Sequence, residues 1–317
     1  MTVRTTVRST SPSLRSVIPR STRRKLWAYG FILPQLVLFV AFTAYPIVMS
    51  YVYSFYDWTG IGPMTDYVGF RNFAEVVRNP LFWNAFKNSF LYMGGTVLIQ
   101  LPLALLLAIV LNDERLKGRA VYRTVYFLPV VTITAVVGAV MRNMFANDGG
   151  LVNDTLAWLG FAHEPLRWLE DTRLVMWVLI AVGSWKWFGI KLVYWLAGLQ
   201  SIPQDLYESA RLDGAGRWGC FRYVTLPLLL PVGTVITLLS VVDGLHAFDL
   251  IKIMTGGGPG FITEMVDLYI YRYAFGGMAG LPQMGYASAA GILFGMIVFV
   301  LSLLFGWLIK ASNERKA

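Results

Sequence analysis

Residues 206–231 of this 317-residue chain read LYESARLDGAGRWGCFRYVTLPLLLP, a short polar segment between two long apolar runs. The segment begins with charged residues at helical spacing and has three glycines within residues 214–219. It ends in a Leu-Pro pair that opens the next apolar run. The meaning of such a loop depends on what the apolar runs around it are.

The composition of the chain indicates a membrane protein. Hydrophobic residues make up 56% of it and charged residues only 14%, and its mean hydropathy is +0.57. Soluble domains carry roughly 25% charged residues. The apolar residues also occur in blocks that are longer than the helices of a soluble core, so a water-soluble class is excluded.

The number of apolar blocks predicts six transmembrane helices. A helix needs about 20 mostly apolar residues to cross the hydrocarbon layer of a bilayer. Internal prolines do not exclude a span, because neighbouring helices can satisfy the freed backbone groups. The predicted spans are 26–50, 88–111, 121–141, 174–198, 223–247 and 285–309.

The spans predict one all-α membrane domain over residues 26–310, which includes the loop 200–222. Residues 1–25 carry seven Lys/Arg residues and no acid, which is typical of a disordered basic tail. The apolar run from Leu26 is too long for a cleaved secretory signal, so we interpret it as a retained first helix. Residues 311–317 form a second short tail.

The distribution of charge predicts the orientation of the chain. The two tails and the loops on their side hold 17 Lys/Arg residues against six acids, whereas the opposite loops hold eight against 11. The positive-inside rule therefore places both termini and the 200–222 loop in the cytosol. The net charge of +9 is then a topology signal, with anionic lipid headgroups as neighbours, and it does not imply nucleic acid.

The polar loop itself predicts a short helix followed by a glycine break. Pro203 lies near the helix start, Asp205 suits the positive end of the helix dipole, and Gly214 and Gly216 interrupt the helix. Gly214–Gly219 matches G-x-G-x-x-G, but a nucleotide site of that kind needs a preceding strand, and here a helix precedes. The sequence also lacks G-x-x-x-x-G-K-[ST], so the chain binds no ATP by this motif.

The loop resembles the EAA loop of binding-protein-dependent ABC importers. Their pattern is Glu-Ala-Ala, three residues, Gly, nine residues, Ile, one residue and Leu-Pro. This sequence keeps every spacing, with Glu208-Ser209-Ala210, Gly214, Val224 and Leu226-Pro227, while Ser209 replaces Ala and Val224 replaces Ile. Further segments resemble the carbohydrate permeases of this group over roughly residues 27–310: Phe70–Phe73, Met254–Pro259 and Tyr269–Ala289.

The resemblance implies a six-helix type I permease subunit in the inner membrane of a prokaryote. Such a subunit carries out no chemistry and binds no cofactor or metal itself. Its partners would be a second, related permease, a cytosolic ATPase dimer that binds ATP and Mg, an extracytoplasmic solute-binding protein and a carbohydrate. The ATPase would receive a coupling helix with Glu208, Ser209, Ala210, Asp213 and Gly214. The alternative for Glu208 is that it only caps its own helix.

Polar residues inside the fourth and fifth spans predict the substrate pathway, because buried polar groups in membranes are costly and mark functional positions. Aromatic rings pack on sugar rings, and hydroxyl and carboxylate groups bind sugar hydroxyls. The candidates are Trp185, Lys186, Trp187, Ser240, Asp243, Gly244 and His246. At most one of Trp185 and Trp187 is expected to face the pathway.

Several alternatives remain open at this point. Asp243 and His246 fit wetted boundary residues as well, and His246 has no partner cluster for a metal. Counting residues from the helix ends places Lys186 and Asp243 roughly 10 Å apart in depth, which disfavours a direct ion pair. The rival function is a secondary transporter or channel with Asp243 and Lys186 in ion coupling, but the inverted repeats typical of that class are not found.

Overall fold

The computed structural model describes residues 20–113, 115–161, 164–276 and 280–314. These residues form helices that are joined by turns and loops. The α-helices are α1 Arg20–Phe39, α2 Tyr45–Tyr53, α3 Arg71–Arg78, α4 Pro80–Asn112, α5 Arg119–Val131, α6 Thr134–Met144, α7 Leu151–Trp158, α8 Val175–Gln200, α9 Gln204–Leu212, α10 Arg217–Gly219, α11 Leu226–Leu245, α12 Phe248–Met254, α13 Val266–Phe275 and α14 Met284–Glu314. Two π-helical turns interrupt this order: π1 Val40–Ala44 and π2 Cys220–Thr225.

The chain divides into two units, and the first, Met1–Val52, contains α1, π1 and most of α2. The apolar stretch Trp27–Tyr53 is long enough to cross a membrane, in agreement with the first predicted span. Residues 1–19 of the predicted basic tail lie outside the described residues, and residues 20–25 form the first turns of α1.

The second unit, Tyr53–Ala317, is organised around α4 and α8. Two glycines allow these helices to lie close together: a Cβ on Gly183 would collide with the Tyr92 hydroxyl, and one on Gly95 with Ile180. α5 packs on α8, α11 packs on both α4 and α8, and α13 packs on α14. This arrangement brings the fourth and fifth predicted spans side by side along α4.

The third predicted span, 121–141, is not one straight helix. The structure has α5 and α6 in its place, bent by 94° at Thr132 and Ile133. Both residues have extended ψ angles, and Pro129 lies inside the last turn of α5 and has no backbone N–H to donate. The apolar run continues through the break, so hydropathy alone could not reveal it.

The other spans are confirmed with shifted ends. Among the described residues, five helices are long and apolar enough to cross a membrane. The number is six if the bent pair α5 and α6 counts as one span. The second span begins at Pro80, eight residues before the predicted start, because Asn79 caps it by accepting a hydrogen bond from the Leu81 N–H. The fifth continues back through π2 to Arg217.

Candidate functional site

A cleft of about 200 Å³ lies where α4, α8 and α11 meet the short helix α12. Five of the seven residues predicted for the substrate pathway line it: Trp187, Ser240, Asp243, Gly244 and His246. Trp185 and Lys186 are not among its lining residues. Of the two tryptophans, only Trp187 lines this cleft.

The cleft wall also contains polar residues of α4 that the sequence reasoning missed. Tyr92, Thr96 and Gln100 line it, and they recur every four residues, so they lie on one face of the helix. That spacing of polar residues inside an apolar run is the signal that could have found them. Gln100 donates from Nε2 to the carbonyl of Gly183 at 3.2 Å, which ties this face of α4 to α8.

An ion pair joins α8 to α11 at the cleft. Lys191 Nζ lies 2.8 Å from Asp243 Oδ2, and the lysine side chain is only 2% exposed whereas the aspartate side chain is 64% exposed. The pair therefore presents a carboxylate to the cleft while burying the cation behind it. Lys191 was not among the residues predicted for the substrate pathway.

The partner of Asp243 corrects the depth argument made from the sequence. Contacts of Gly198 with Val232 and of Gly233 with Trp195 set the antiparallel register of α8 and α11. That register places Asp243 about level with residue 185, so depth does not separate it from Lys186. Lys191 reaches it because side chains lean toward the N-terminus of their own helix, which brings lysine and aspartate on antiparallel helices toward each other.

Lys186 faces α5 instead of the cleft. Its side chain is fully buried, and its ammonium donates to the carbonyl oxygens of Pro129, Val130 and Thr132 at 2.6, 3.0 and 2.7 Å. Lys186 and Asp243 therefore form no ion pair in this structure. The lysine also lies 4.7 Å from the centre of the Trp187 ring.

Gly244 and His246 occupy the end of α11 where it meets α4 and α13. A Cβ on Gly244 would lie 3.0–3.2 Å from atoms of Met93, so the glycine permits this close approach. His246 Nδ1 lies 3.2 Å from Asp267 Oδ2.

The polar groups that line the cleft offer mainly hydrogen-bond acceptors. The Thr96 and Ser240 hydroxyls donate to carbonyls of their own helices, so the lone pairs of their oxygens remain available. Asp243 and Asp249 add carboxylate oxygens. Together with the Trp187 ring, these groups suit a ligand with many hydroxyl donors and apolar ring faces.

The loop between α12 and α13 is fixed to the beginning of α4. Asn88 Nδ2 donates to the carbonyls of Phe261 and Glu264, and Asn84 Nδ2 donates to Phe261 as well. Glu264 is buried, and its Oε2 lies 2.8 Å from Arg272 Nη2. Burial raises the pKa of its carboxyl to about 7, although the arginine opposes the shift.

The segment that resembles the EAA loop forms the helix α9 and a glycine-based stop. Gly214 has a φ of +84°, and its N–H donates to Arg211 O while Ala215 N–H donates to Ala210 O. These two bonds form a Schellman motif, for which glycine is the favoured residue. The predicted break at Gly214 is confirmed at this residue.

The outward face of α9 carries a charged and an apolar side chain. The Glu208 side chain is exposed and forms no hydrogen bond or ion pair within the described residues, so it does not cap its own helix here. Leu212, four residues later, is 89% exposed. Ser209 donates to Asp205 O, and Tyr207 Oη lies 3.0 Å from Thr225 Oγ1, which ties α9 to π2.

These features define a class: a polytopic helical membrane transport component with a polar cleft between its spans and a short exposed helix in one loop. Comparison with known proteins identifies the family. Residues 81–317 match the family described as binding-protein-dependent transport system inner membrane component. The chain belongs to this family and is a multi-pass permease subunit of an ABC importer, which confirms that it is a transport component and not an enzyme.

The relatives share most of their length with this chain. The lactose transport system permease protein LacF of Rhizobium radiobacter is 35% identical over 90% of this chain and 94% of its own. The trehalose/maltose transport system permease protein MalF of Thermococcus litoralis is 33% identical over 87% and 91%. A bacterial ABC transporter that imports the acidic polysaccharide alginate has a chain with a TM-score of 0.79 and 25% identity, covering 92% of this chain and 98% of that one. The predicted permease fold is thereby confirmed.

Proposed function

We propose that the chain is one of two permease subunits of an importer for a carbohydrate, and that the cleft is part of its pathway. The observation that carries the proposal is the cleft itself, where the Asp243 carboxylate stands near Trp187 with Lys191 buried behind it. Relatives named for lactose and for trehalose/maltose support the substrate class. The solved alginate transporter in complex with a pentasaccharide-bound periplasmic protein supports delivery by a binding protein.

The proposed assembly contains a second permease, an ATPase dimer that binds ATP and Mg, and an extracytoplasmic solute-binding protein. The exposed helix α9 would dock on the ATPase through the face that carries Glu208 and Leu212, with Ala210, Asp213 and Gly214 shaping the helix end. Tyr207 and Thr225 would pass its movement to α11, whose far end lines the cleft. Ion coupling through Lys186 and Asp243 is disfavoured, because Lys186 binds backbone carbonyls.

The assembly can be tested by reconstitution. The chain, co-expressed with the products of adjacent genes, is expected to copurify with an ATPase, and a saccharide-loaded binding protein should raise ATP hydrolysis several-fold in proteoliposomes. A panel of neutral and acidic oligosaccharides would serve as the probe. Absence of an ATPase from a well-folded preparation, or stimulation by no saccharide of the panel, would contradict the proposal.

The proposed orientation places both termini and α9 in the cytosol of a prokaryotic cell, with the α12–α13 loop outside. A reporter fused after Gly214 is expected to behave as cytosolic, and reporters fused after Gly149 and Gly258 as extracytoplasmic. The positive-inside rule gives the physical reason. Reversed labelling would contradict both the orientation and docking of α9 on a cytosolic partner.

A further inference from the structure

The break between α5 and α6 creates a backbone problem that two side chains solve. The last carbonyls of a helix have no N–H partner within it, and in hydrocarbon each unsatisfied group is costly. The Thr132 hydroxyl donates to Leu128 O. Lys186 donates to the carbonyls of Pro129, Val130 and Thr132.

Lys186 fits this task in number of donors, charge and position. An ammonium group has three N–H donors, and three carbonyl oxygens accept them. A cation also suits the negative end of the helix dipole. Gly189, on the same helix as Lys186, lets α8 come so close to α5 that a Cβ there would collide with the Tyr126 carbonyl. This close packing holds the lysine against the helix end.

The break lies at the wall of the cleft. Thr134, the first residue of α6, lines it. α6 then packs on α12, where Gly138 approaches Ile253 and the Leu250 carbonyl. Phe248 and Asp249 of α12 also line the cleft. The direction in which α6 leaves the break therefore fixes two parts of the cleft wall.

We infer that Lys186 is a positioning residue that holds the third span in its bent form and so sets the shape of the cleft. It acts through the backbone of residues 129–132 and not by touching the transported molecule, because its three donors bind backbone carbonyls and Lys186 does not line the cleft. Its effect on transport rests on the proposed function, whereas its effect on the bend does not.

The bend can be measured directly in the purified full-length chain. Nitroxide labels at Tyr122 of α5 and Val140 of α6, both exposed, would report the distance across the break by pulsed electron resonance in a Cys220→Ser background. Lys186→Met keeps an unbranched side chain that is one heavy atom shorter, but it removes the three N–H donors. We expect the distance distribution to broaden and shift by several Å in this variant, because the carbonyls would seek new partners. Lys191→Met removes another buried lysine of α8 and should leave the distribution unchanged.

Transport kinetics and the distance distribution together separate positioning from contact. In the reconstituted assembly, Lys186→Met is expected to lower the maximal saccharide-stimulated ATPase rate at least tenfold. The half-saturating saccharide concentration should rise as well, because the wall of the cleft changes shape. A contact role would also raise that concentration but would leave the distance distribution unchanged.

A second variant covers the case in which Lys186→Met cannot be purified. Lys186→Gln replaces the ammonium group by a neutral amide with two N–H donors, so it should give a distance distribution between that of the wild type and that expected when all three donors are lost. A distribution identical to wild type in either variant would overturn the inference. Because the distance measurement needs neither ATPase nor saccharide, it tests whether Lys186 holds the bend even if the proposed function is wrong.

Discussion

Glu208→Lys is expected to abolish saccharide uptake while the chain still inserts and assembles in the membrane. The carboxylate stands exposed on α9 and has no partner within the described residues, so the change does not disturb the fold of this chain. It inverts the charge that α9 would present to a basic surface of the ATPase. Like charges facing each other across an interface cost several kcal/mol, enough to prevent productive docking.

Uptake by cells and ATPase activity of the purified assembly would measure the effect. Glu164→Lys provides a matched control, because Glu164 is an exposed acid in a loop predicted to lie on the opposite side. Glu208→Gln should be milder, since it removes the charge without reversing it. Normal uptake by a well-expressed Glu208→Lys variant would contradict the assignment of α9 as the coupling helix.

Asp243→Asn is expected to weaken saccharide-dependent stimulation by roughly tenfold to a hundredfold. A hydrogen bond to a charged group contributes about 1.5–3 kcal/mol, and each 1.4 kcal/mol corresponds to a factor of ten. The asparagine side chain keeps the shape of the aspartate, so packing of α11 should survive. The half-saturating saccharide concentration of the reconstituted assembly is the quantity to compare.

The buried partner of Asp243 requires a second variant in the design. Asp243→Asn leaves Lys191 as a buried cation without its counter-ion, which is destabilising for reasons unrelated to saccharide. The double variant Asp243→Asn/Lys191→Met removes that charge. If Asp243 binds saccharide, the double variant should remain defective; full recovery would mean that the pair serves only the structure. Curves for Asp243→Asn that superimpose on the wild type would remove Asp243 from the site altogether.

The number and approximate limits of the spans follow from the sequence because crossing a bilayer sets a minimum apolar length. The stop at Gly214 also follows, since a left-handed residue at a helix end favours glycine. The bend in the third span does not, because its stabilising cation comes from Lys186, more than 50 residues later in the chain. Local patterns contain no information about such a distant partner.

The residues of the cleft were predictable only in part, for a related reason. Polar residues in α8 and α11 indicated two of the helices that line the cleft. The choice between Lys186 and Lys191, however, depends on how α8 is rotated against α5 and α11. A helix with protein or lipid on every side is apolar all round, so its sequence does not show which face meets which neighbour. The polar face of α4 was visible in the sequence, because Tyr92, Thr96 and Gln100 follow one another at intervals of four residues.

The π-helical turn Cys220–Thr225 is a place where the connection between α9 and the cleft can absorb a change in length. A π-turn contains one residue more than an α-turn, so loss of one residue there would convert it to an α-turn and leave the rotational phase of α11 nearly unchanged. Loss of one residue from α11 itself, before Ser240, would instead rotate the rest of that helix by about 100°. Ser240 and Asp243 would then leave the cleft, and Gly244 would no longer face Met93. The number of residues between the π-turn and Ser240 is thus an angular setting, whereas the π-turn is the part of the connection that tolerates a change in length.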